Sequence, residues 1–350
     1  MFVFYTCKKN IYMQSSTKAI YQNLKRNDFL PVAPGVSCLQ IVMVNVYMIS
    51  DPADNSGNWV LVDAGLAGSA SRIKRAAEKL YGKGTKPKAI ILTHGHFDHV
   101  GALRQLAEEW DVPVYAHLLE LPYLTGRSAY PPPDPSVGGG AMAFMSRIYP
   151  NKPIDISRFV HKLPEDGSVP YLPGWTYLHT PGHSPGHVSL FRDSDKVLVA
   201  GDAFVTVKQE SMLAVMTQKQ EVHGPPAYYT PNWDAAKRSI ERLLLLRPKV
   251  AATGHGLPMY GDELLDQLEL LFRNFDERVI PHHGRYIHQA VEADENGVIS
   301  LPPPVPDPLP KIMVGVGLVT LAGMAVLAIR RRNNTLDFVD KSFLAGIAKF

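Results

Sequence analysis

The sequence predicts an α/β protein with two β-sheets and helices outside them. Two observations carry this. From about residue 28 to residue 290, short runs rich in Val, Ile, Leu and Met alternate with stretches of helical periodicity. The alternation also falls into two similar halves, with no internal repeat at a short fixed period. A chain of 350 residues fits one or two domains, and a 45% hydrophobic share is ample for a core.

The elements follow in order. Residues 36–49 are rich in Val, Ile and Met and predict one or two strands. Two more strands, 59–63 (WVLVD) and 88–93 (KAIILT), flank a helix over 68–81. A helix is expected over 100–110 and a short strand over 113–117. Residues 130–140 hold four prolines and three glycines and must be loop, followed by a short helix near 141–148. Strands are expected over 176–179, 187–191, 196–200 and 250–253. The helix over 232–246 is started by Thr230-Pro231, and a last helix spans 261–279.

The ends differ from this body. Residues 1–29 read as a polar lead-in, and the apolar-then-basic order of residues 1–9 reverses that of a secretory signal, so none is expected. Residues 291–311 read as a proline-rich linker, because LPPPVPDPLP at 301–310 favours an extended spacer. Residues 312–329 carry no charge and would form a helix of roughly 27 Å, close to a bilayer's hydrocarbon thickness. A single-pass membrane helix is therefore expected there, with a basic tail over 330–350 that opens on Arg330, Arg331 and Arg332. The arginines favour the cytoplasmic face, whereas the lack of a signal gives no route for the preceding domain to the other face, so the side stays open.

Composition excludes several classes. Lys plus Arg number 36 against 33 Asp plus Glu, a net +3 that offers no nucleic-acid surface and no acidic tail. Two cysteines, Cys7 and Cys38, make neither a disulfide framework nor a CxxC zinc site. The 13 histidines, by contrast, are clustered. Thr93-His94-Gly95-His96-Phe97-Asp98-His99 sets three imidazoles and a carboxylate directly after a strand, where a tight turn points several the same way. Imidazole with carboxylate suits Zn, Mn or Fe, and the missing thiolate argues against a closed structural zinc site.

This motif resembles the metallo-β-lactamase superfamily, whose pattern continues here with His183 in HTPGHSPGH, Asp202 in VLVAGDAF and His255 in TGHG. The resemblance covers roughly residues 30 to 275. It implies a four-layer αββα sandwich, placed here over residues 30–290. It further implies two divalent cations, zinc first, with Mn or Fe as alternatives. His94, His96 and His183 would hold one ion; Asp98, His99 and His255 would hold the other; Asp202 would bridge. Asp63, in VDAG, would support the ligand loop from behind, as would His179 and His187. Two metals roughly 3.5–4 Å apart can share a water and lower its pKa toward about 7, supplying a bridging hydroxide as nucleophile. Asp98 would also accept or shuttle the proton.

Within the superfamily, HTPGHSPGH looks like the quorum-quenching lactonases and the glyoxalase II-like thioesterases. Two departures separate this chain from both. Ala203-Phe204-Val205 stands where those lactonases carry a tyrosine, and Gly256-Leu257-Pro258 where glyoxalase II has a polar, glutamate-containing stretch. Asp202 and the missing signal set it apart from true β-lactamases. The expectation is a dinuclear hydrolase of an ester, thioester or lactone, acting on a small molecule. A phosphodiesterase on the same metals, or an iron-dependent persulfide dioxygenase, are the alternatives. Inserts 121–159 and 204–229, with Met142, Phe144, Met145, Met212 and Met216, would form an apolar lid, or else pack on each other or at a dimer contact. Tyr228 and Tyr229 are candidates for an oxyanion contact, and His223 for reaching the cleft. His117 and His161 are read as ordinary, and His282, His283 and His288 as solvated.

Overall fold

The computed structural model describes residues 29–53 and 57–306. The expected polar lead-in, all but its last residue, and the apolar run at 312–329 with its basic tail lie outside the described residues. Among the described residues no helix is long and apolar enough to cross a membrane.

Fourteen strands are described: β1 (Leu30–Ala33), β2 (Val36–Ile41), β3 (Val44–Ser50), β4 (Trp59–Val62), β5 (Ile90–Ile91), β6 (Val114–Ala116), β7 (Val160–Lys162), β8 (Trp175–His179), β9 (Val188–Arg192), β10 (Val197–Gly201), β11 (Val250–Thr253), β12 (Met259–Tyr260), β13 (Glu292–Asp294) and β14 (Gly297–Ser300). The α-helices are α1 (Ala70–Tyr81), α2 (Phe97–Val100), α3 (Leu103–Trp110), α4 (Leu121–Leu124), α5 (Ala141–Met145), α6 (Met212–Thr217), α7 (Trp233–Leu245), α8 (Gly261–Arg273) and α9 (Phe275–Arg278). The first seven strands form one sheet in chain order, antiparallel from β1 to β4 and parallel from β4 to β7. The second sheet runs β12-β11-β10-β9-β8, with β10 and β11 parallel.

Two-residue alternation sorts each strand between layers. On β3, Val44, Val46 and Met48 face a cluster with Ile73 of α1 and Leu103 and Leu106 of α3, while Tyr47 and Ile49 face the second sheet. There they meet Val188, Leu190, Val197 and Val199. The far side of the second sheet, through Phe191, Leu198 and Ala251, is covered by Ile240 and Leu243 of α7 and Leu264 and Leu268 of α8. Helices, sheet, sheet, helices: the four layers expected are the layers found.

Four differences have physical causes. The helix expected over 100–110 begins at Phe97 and breaks at Gly101, whose N–H leaves the helical ladder for the Gly65 carbonyl at 2.7 Å. The helix expected over 261–279 splits at Asn274, which ends α8 and opens α9. Strands β1, β7 and β12 are only two to four residues long, too short to show a period. The linker over 291–311 is corrected in its first part. Residues 292–300 form the β13–β14 hairpin, tied back by Val291 N–H to the Pro231 carbonyl (3.1 Å) and Val298 N–H to Ser128 Oγ (3.1 Å). The Arg285 guanidinium then holds the Pro302 carbonyl at 2.7 Å, so the ordered chain passes the expected boundary at residue 290.

Candidate metal centre

The ends of β4, β5, β10 and β11 meet at one edge of the sandwich. Asp63 follows β4, the 93–99 loop follows β5, Asp202 follows β10 and His255 follows β11. The 180–187 loop between β8 and β9 joins them, and Val188 N–H donates to the Thr93 carbonyl across the two sheets at 2.9 Å. Three groups of side chains converge: His94, His96 and His183; His94, His99 and Asp202; Asp98, His99 and His255. Within each group the donor atoms lie within 4.8 Å of one another, and every residue is buried. All seven residues to which the sequence points are therefore in one place.

The hydrogen bonds around them decide which ring nitrogens stay bare. Thr93 donates to Asp63 twice, from N–H and from Oγ1, each at 2.8 Å. Its hydroxyl proton being spent, Thr93 Oγ1 can only accept from His94 Nδ1 at 3.0 Å, which leaves His94 Nε2 unprotonated. His99 Nδ1 meets Asp63 Oδ2 at 2.8 Å, and His255 Nδ1 donates to the Met43 carbonyl at 2.7 Å. His183 Nδ1 lies 3.5 Å from Thr230 Oγ1, whose own proton goes to the Pro226 carbonyl. His183 Nε2 then faces inward, 2.9 Å from His96 Nδ1 and 3.5 Å from Asp202 Oδ2. His255 Nε2 lies 3.1 Å from Asp202 Oδ2 and 3.4 Å from Asp98 Oδ2.

Among the described residues His94 Nε2, His99 Nε2 and Asp202 Oδ1 are buried without a hydrogen-bond partner. Unpartnered polar atoms of this kind are costly in a protein interior. Bare imidazole nitrogens and carboxylate oxygens turned toward one another fit divalent cations.

Electrostatics divides the histidines. Burial pushes His94 and His183 far below the ordinary imidazole range, and His96 and His187 to about 3, with neighbouring imidazoles adding to the effect. Burial also pushes His99 and His255 down, but carboxylates outweigh it: Asp63 and Asp202 at His99, Asp202 and Asp98 at His255, and both end raised. Burial would raise Asp202, yet His255 and His99 hold it well below the carboxylate range. His94, His96 and His183 thus offer neutral nitrogens, and the carboxylates gather positive charge on the other side.

Several supports were not legible in the sequence. Glu120, fully buried, accepts from Gly95 N–H (3.0 Å), Gly186 N–H (2.8 Å), Ser184 Oγ (2.7 Å) and the Tyr130 hydroxyl. Asn45 donates from Nδ2 to the carbonyls of Thr253 (2.9 Å) and Gly256 (2.6 Å), and its N–H donates to Gly254 (2.7 Å), gripping the His255 loop. The glycines inside both histidine motifs were the available signal for Glu120. For Asn45 there was none.

Other expected residues divide. His187 Nε2 accepts from Asp202 N–H at 2.9 Å, so it supports the Asp202 backbone. His179 stacks on His117 with centroids 4.0 Å apart and reaches the Pro185 carbonyl at 2.8 Å; it steadies the His183 loop without touching any of the seven. His223 pairs its backbone with Val205, and its ring lies 3.7 Å from Glu221; no described hydrogen bond or ion pair joins it to the seven. His282, His283 and His288 are exposed. Tyr229 stacks on His96 at 4.4 Å and donates its hydroxyl to the Pro150 carbonyl at 3.0 Å, so that hydroxyl is engaged away from the seven. Tyr228 is buried, and burial, Glu210 and Asp98 together push its phenol up. Met142, Ala143, Tyr228 and Tyr229 form a cluster joined by Met43, Phe97, Met145, Tyr149, Met212 and Val215, so the two inserts pack on each other beside the centre.

The sequence profile of the Metallo-beta-lactamase superfamily matches residues 40–255. The probable metallo-hydrolase YflN of Bacillus subtilis (strain 168) is 51% identical over 236 residues, covering 67% of this chain and 89% of that protein. The probable metallo-hydrolase YybB of the same organism is 29% identical over 234 residues, 67% of this chain and 90% of that protein. The hydroxyacylglutathione hydrolase GloC of Haemophilus influenzae (strain ATCC 51907 / DSM 11121 / KW20 / Rd) is 30% identical over 158 residues, 43% of this chain and 62% of that protein. A profile match over most of the sandwich, and a relative identical at half of 236 aligned positions, establish that this chain belongs to the metallo-beta-lactamase superfamily.

Proposed function

We propose that this metal-dependent hydrolase cleaves a carboxylic ester, thioester or lactone at a site of two divalent cations, zinc being the first candidate. His94, His96 and His183 would hold one ion, Asp98, His99 and His255 the other, with Asp202 reaching both. The observation that carries this reading is the set of bare, buried donors: in four of the five imidazoles the outer nitrogen is engaged elsewhere and the inner one is turned to the centre. Charge supports bound cations: Asp63, Asp98 and Asp202 are buried carboxylates at the centre, and positive charge there offsets them. When bound, such ions polarise a carbonyl and make water acidic enough to attack at neutral pH.

The chain's own residues supply the rest. Asp98, beside His255 Nε2, would take up the proton released from water. Tyr228, amid Asp98 and the apolar insert cluster, is the remaining candidate to donate to the developing oxyanion. A narrow crevice beside His96 and His183 is lined by Tyr130, Pro131, Pro132, Pro185, Tyr229 and Tyr286. These walls carry no Lys or Arg to meet a phosphate. The similarity to GloC, a hydroxyacylglutathione hydrolase, points the same way.

The test is metal content and turnover on one preparation. Zn, Fe and Mn per chain are quantified, and thioesters, lactones and phosphodiesters are assayed in parallel. Two ions per chain with carbonyl-ester turnover is the expected result. A single iron, with oxygen consumed on a persulfide and no hydrolysis, would overturn the proposal.

A further inference from the structure

We infer that Glu120 is a positioning residue that sets the distance between the two loops carrying His94, His96 and His183, and that Gly95 and Gly186 are glycine in order to admit it. The inference rests on the proposed function for the ion those three histidines would hold. One carboxylate takes two donors on each oxygen. Oε2 receives Gly95 N–H, from the residue between His94 and His96, together with the Tyr130 hydroxyl. Oε1 receives Ser184 Oγ, from the residue after His183, and Gly186 N–H. Glu120 is itself fixed at the end of a 3₁₀ turn (Leu118–Glu120), its N–H on the His117 carbonyl at 2.9 Å.

The two loops come from different sheets and approach this carboxylate through bare backbone. A Cβ on Gly186 would lie 2.8 Å from both Glu120 Cγ and its backbone nitrogen, closer than real contacts allow. A Cβ on Gly95 would lie 2.5 Å from the Tyr130 hydroxyl that shares Oε2. Neither glycine has a positive φ. Their need is space, and the space is occupied by Glu120 and its partner. A glutamine cannot replace the carboxylate. Its amide nitrogen would face either Gly95 N–H or Gly186 N–H, a donor against a donor that cannot rotate away, leaving Gly186 without its acceptor or Gly95 with the Tyr130 hydroxyl alone (2.9 Å). An aspartate is one methylene too short to reach both loops.

The test is zinc titration of the full chain, stripped of metal and competed against a chromophoric chelator. Glu120→Gln should weaken one of the two zinc ions about 10–100-fold, the usual scale for a residue that orients ligands, and leave the other within threefold. In a His183→Ala chain, which lacks the affected ion, the same substitution should have no further effect on the remaining one. Equal weakening of both ions, or of neither, would overturn the inference, as would an undiminished effect in the His183→Ala background. If Glu120→Gln fails to fold, Gly186→Ala, which displaces the carboxylate while keeping its charge, is read in the same titration with the same criteria. A wild-type chain that binds one ion would defeat the two-ion function, and the role of Glu120 would then be judged on whether that ion weakens.

Discussion

Nδ1 of His255 lies 2.7 Å from the carbonyl oxygen of Met43, a bond across 212 residues of sequence. Met43 sits in the tight β2–β3 turn, where Val42 adopts φ 60, a conformation that a β-branched residue reaches only under constraint. The β2–β3 hairpin therefore fixes the tautomer and ring orientation of a side chain offered by the second half. Asn45, two residues on, holds the backbone of the same loop at three points. Neither half of the sandwich completes the centre alone.

Asn45→Ala should lower the stability of the metal-free protein by about 1–3 kcal/mol, because it strips the buried Gly256 carbonyl of its donor. The Thr253 carbonyl keeps the Tyr47 hydroxyl at 2.6 Å and suffers less. Asn45→Asp should be worse than Asn45→Ala, since it sets a carboxylate against two carbonyls. Urea unfolding of the three proteins gives the order, and an aspartate variant as stable as the alanine one would contradict the assigned bonds.

Metal should act as a stabiliser. A ligand that binds only the folded state adds about 2.7 kcal/mol at a hundredfold excess over its Kd, for each site. Stripping the ions should abolish turnover, and adding zinc back should raise the urea midpoint progressively with zinc concentration. A midpoint indifferent to zinc would mean that the buried donors are not a binding site in the native state.

The centre was more legible than its supports, for a physical reason. The seven donors announce themselves because chemistry demands particular residue types at strand ends, and HxHxDH shows four of them in one stretch. Strands such as β3, β9 and β10 are apolar runs long enough to read, whereas β7 and β12, of three and two residues, are not. Met43 contributes a carbonyl, which every residue owns, and Asn45 acts on a loop more than two hundred residues away. Nothing local marks them. Tyr229 shows the converse: its ring lies beside the centre, on His96, but only the fold reveals that Pro150 claims its hydroxyl.

Acid should weaken the fold through the His117–His179 stack. Burial, and then His179, depress His117 to about 4, and burial depresses His179 as well. His117 Nδ1 accepts the Leu119 N–H at 3.3 Å and must stay unprotonated to do so. Between the ordinary imidazole pKa near 6.5 and about 4, the unfolded chain binds more protons than the folded one. Stability is therefore whole above that window and falls as pH drops through it. In metal-free protein, His117→Phe should flatten the decline in unfolding free energy between pH 7 and pH 5. An unchanged slope would show that His117 titrates normally in the fold.

The two adjacent tyrosines should separate cleanly. Tyr229→Phe removes a hydroxyl already given to the Pro150 carbonyl and keeps the ring on His96. It should cost about 1 kcal/mol of stability and leave kcat within threefold. Tyr228→Phe removes the hydroxyl proposed to face the developing oxyanion. It should lower kcat at least tenfold, toward the 10²–10³ range seen when one oxyanion donor is lost, with KM little changed. Steady-state kinetics on whichever ester or thioester the panel identifies, with unfolding curves for both variants, decide the matter. If Tyr229→Phe proves the slower enzyme, its hydroxyl must leave Pro150 during turnover. If neither variant loses rate, no tyrosine of this pair serves the reaction, and the oxyanion is met by the metal ions alone.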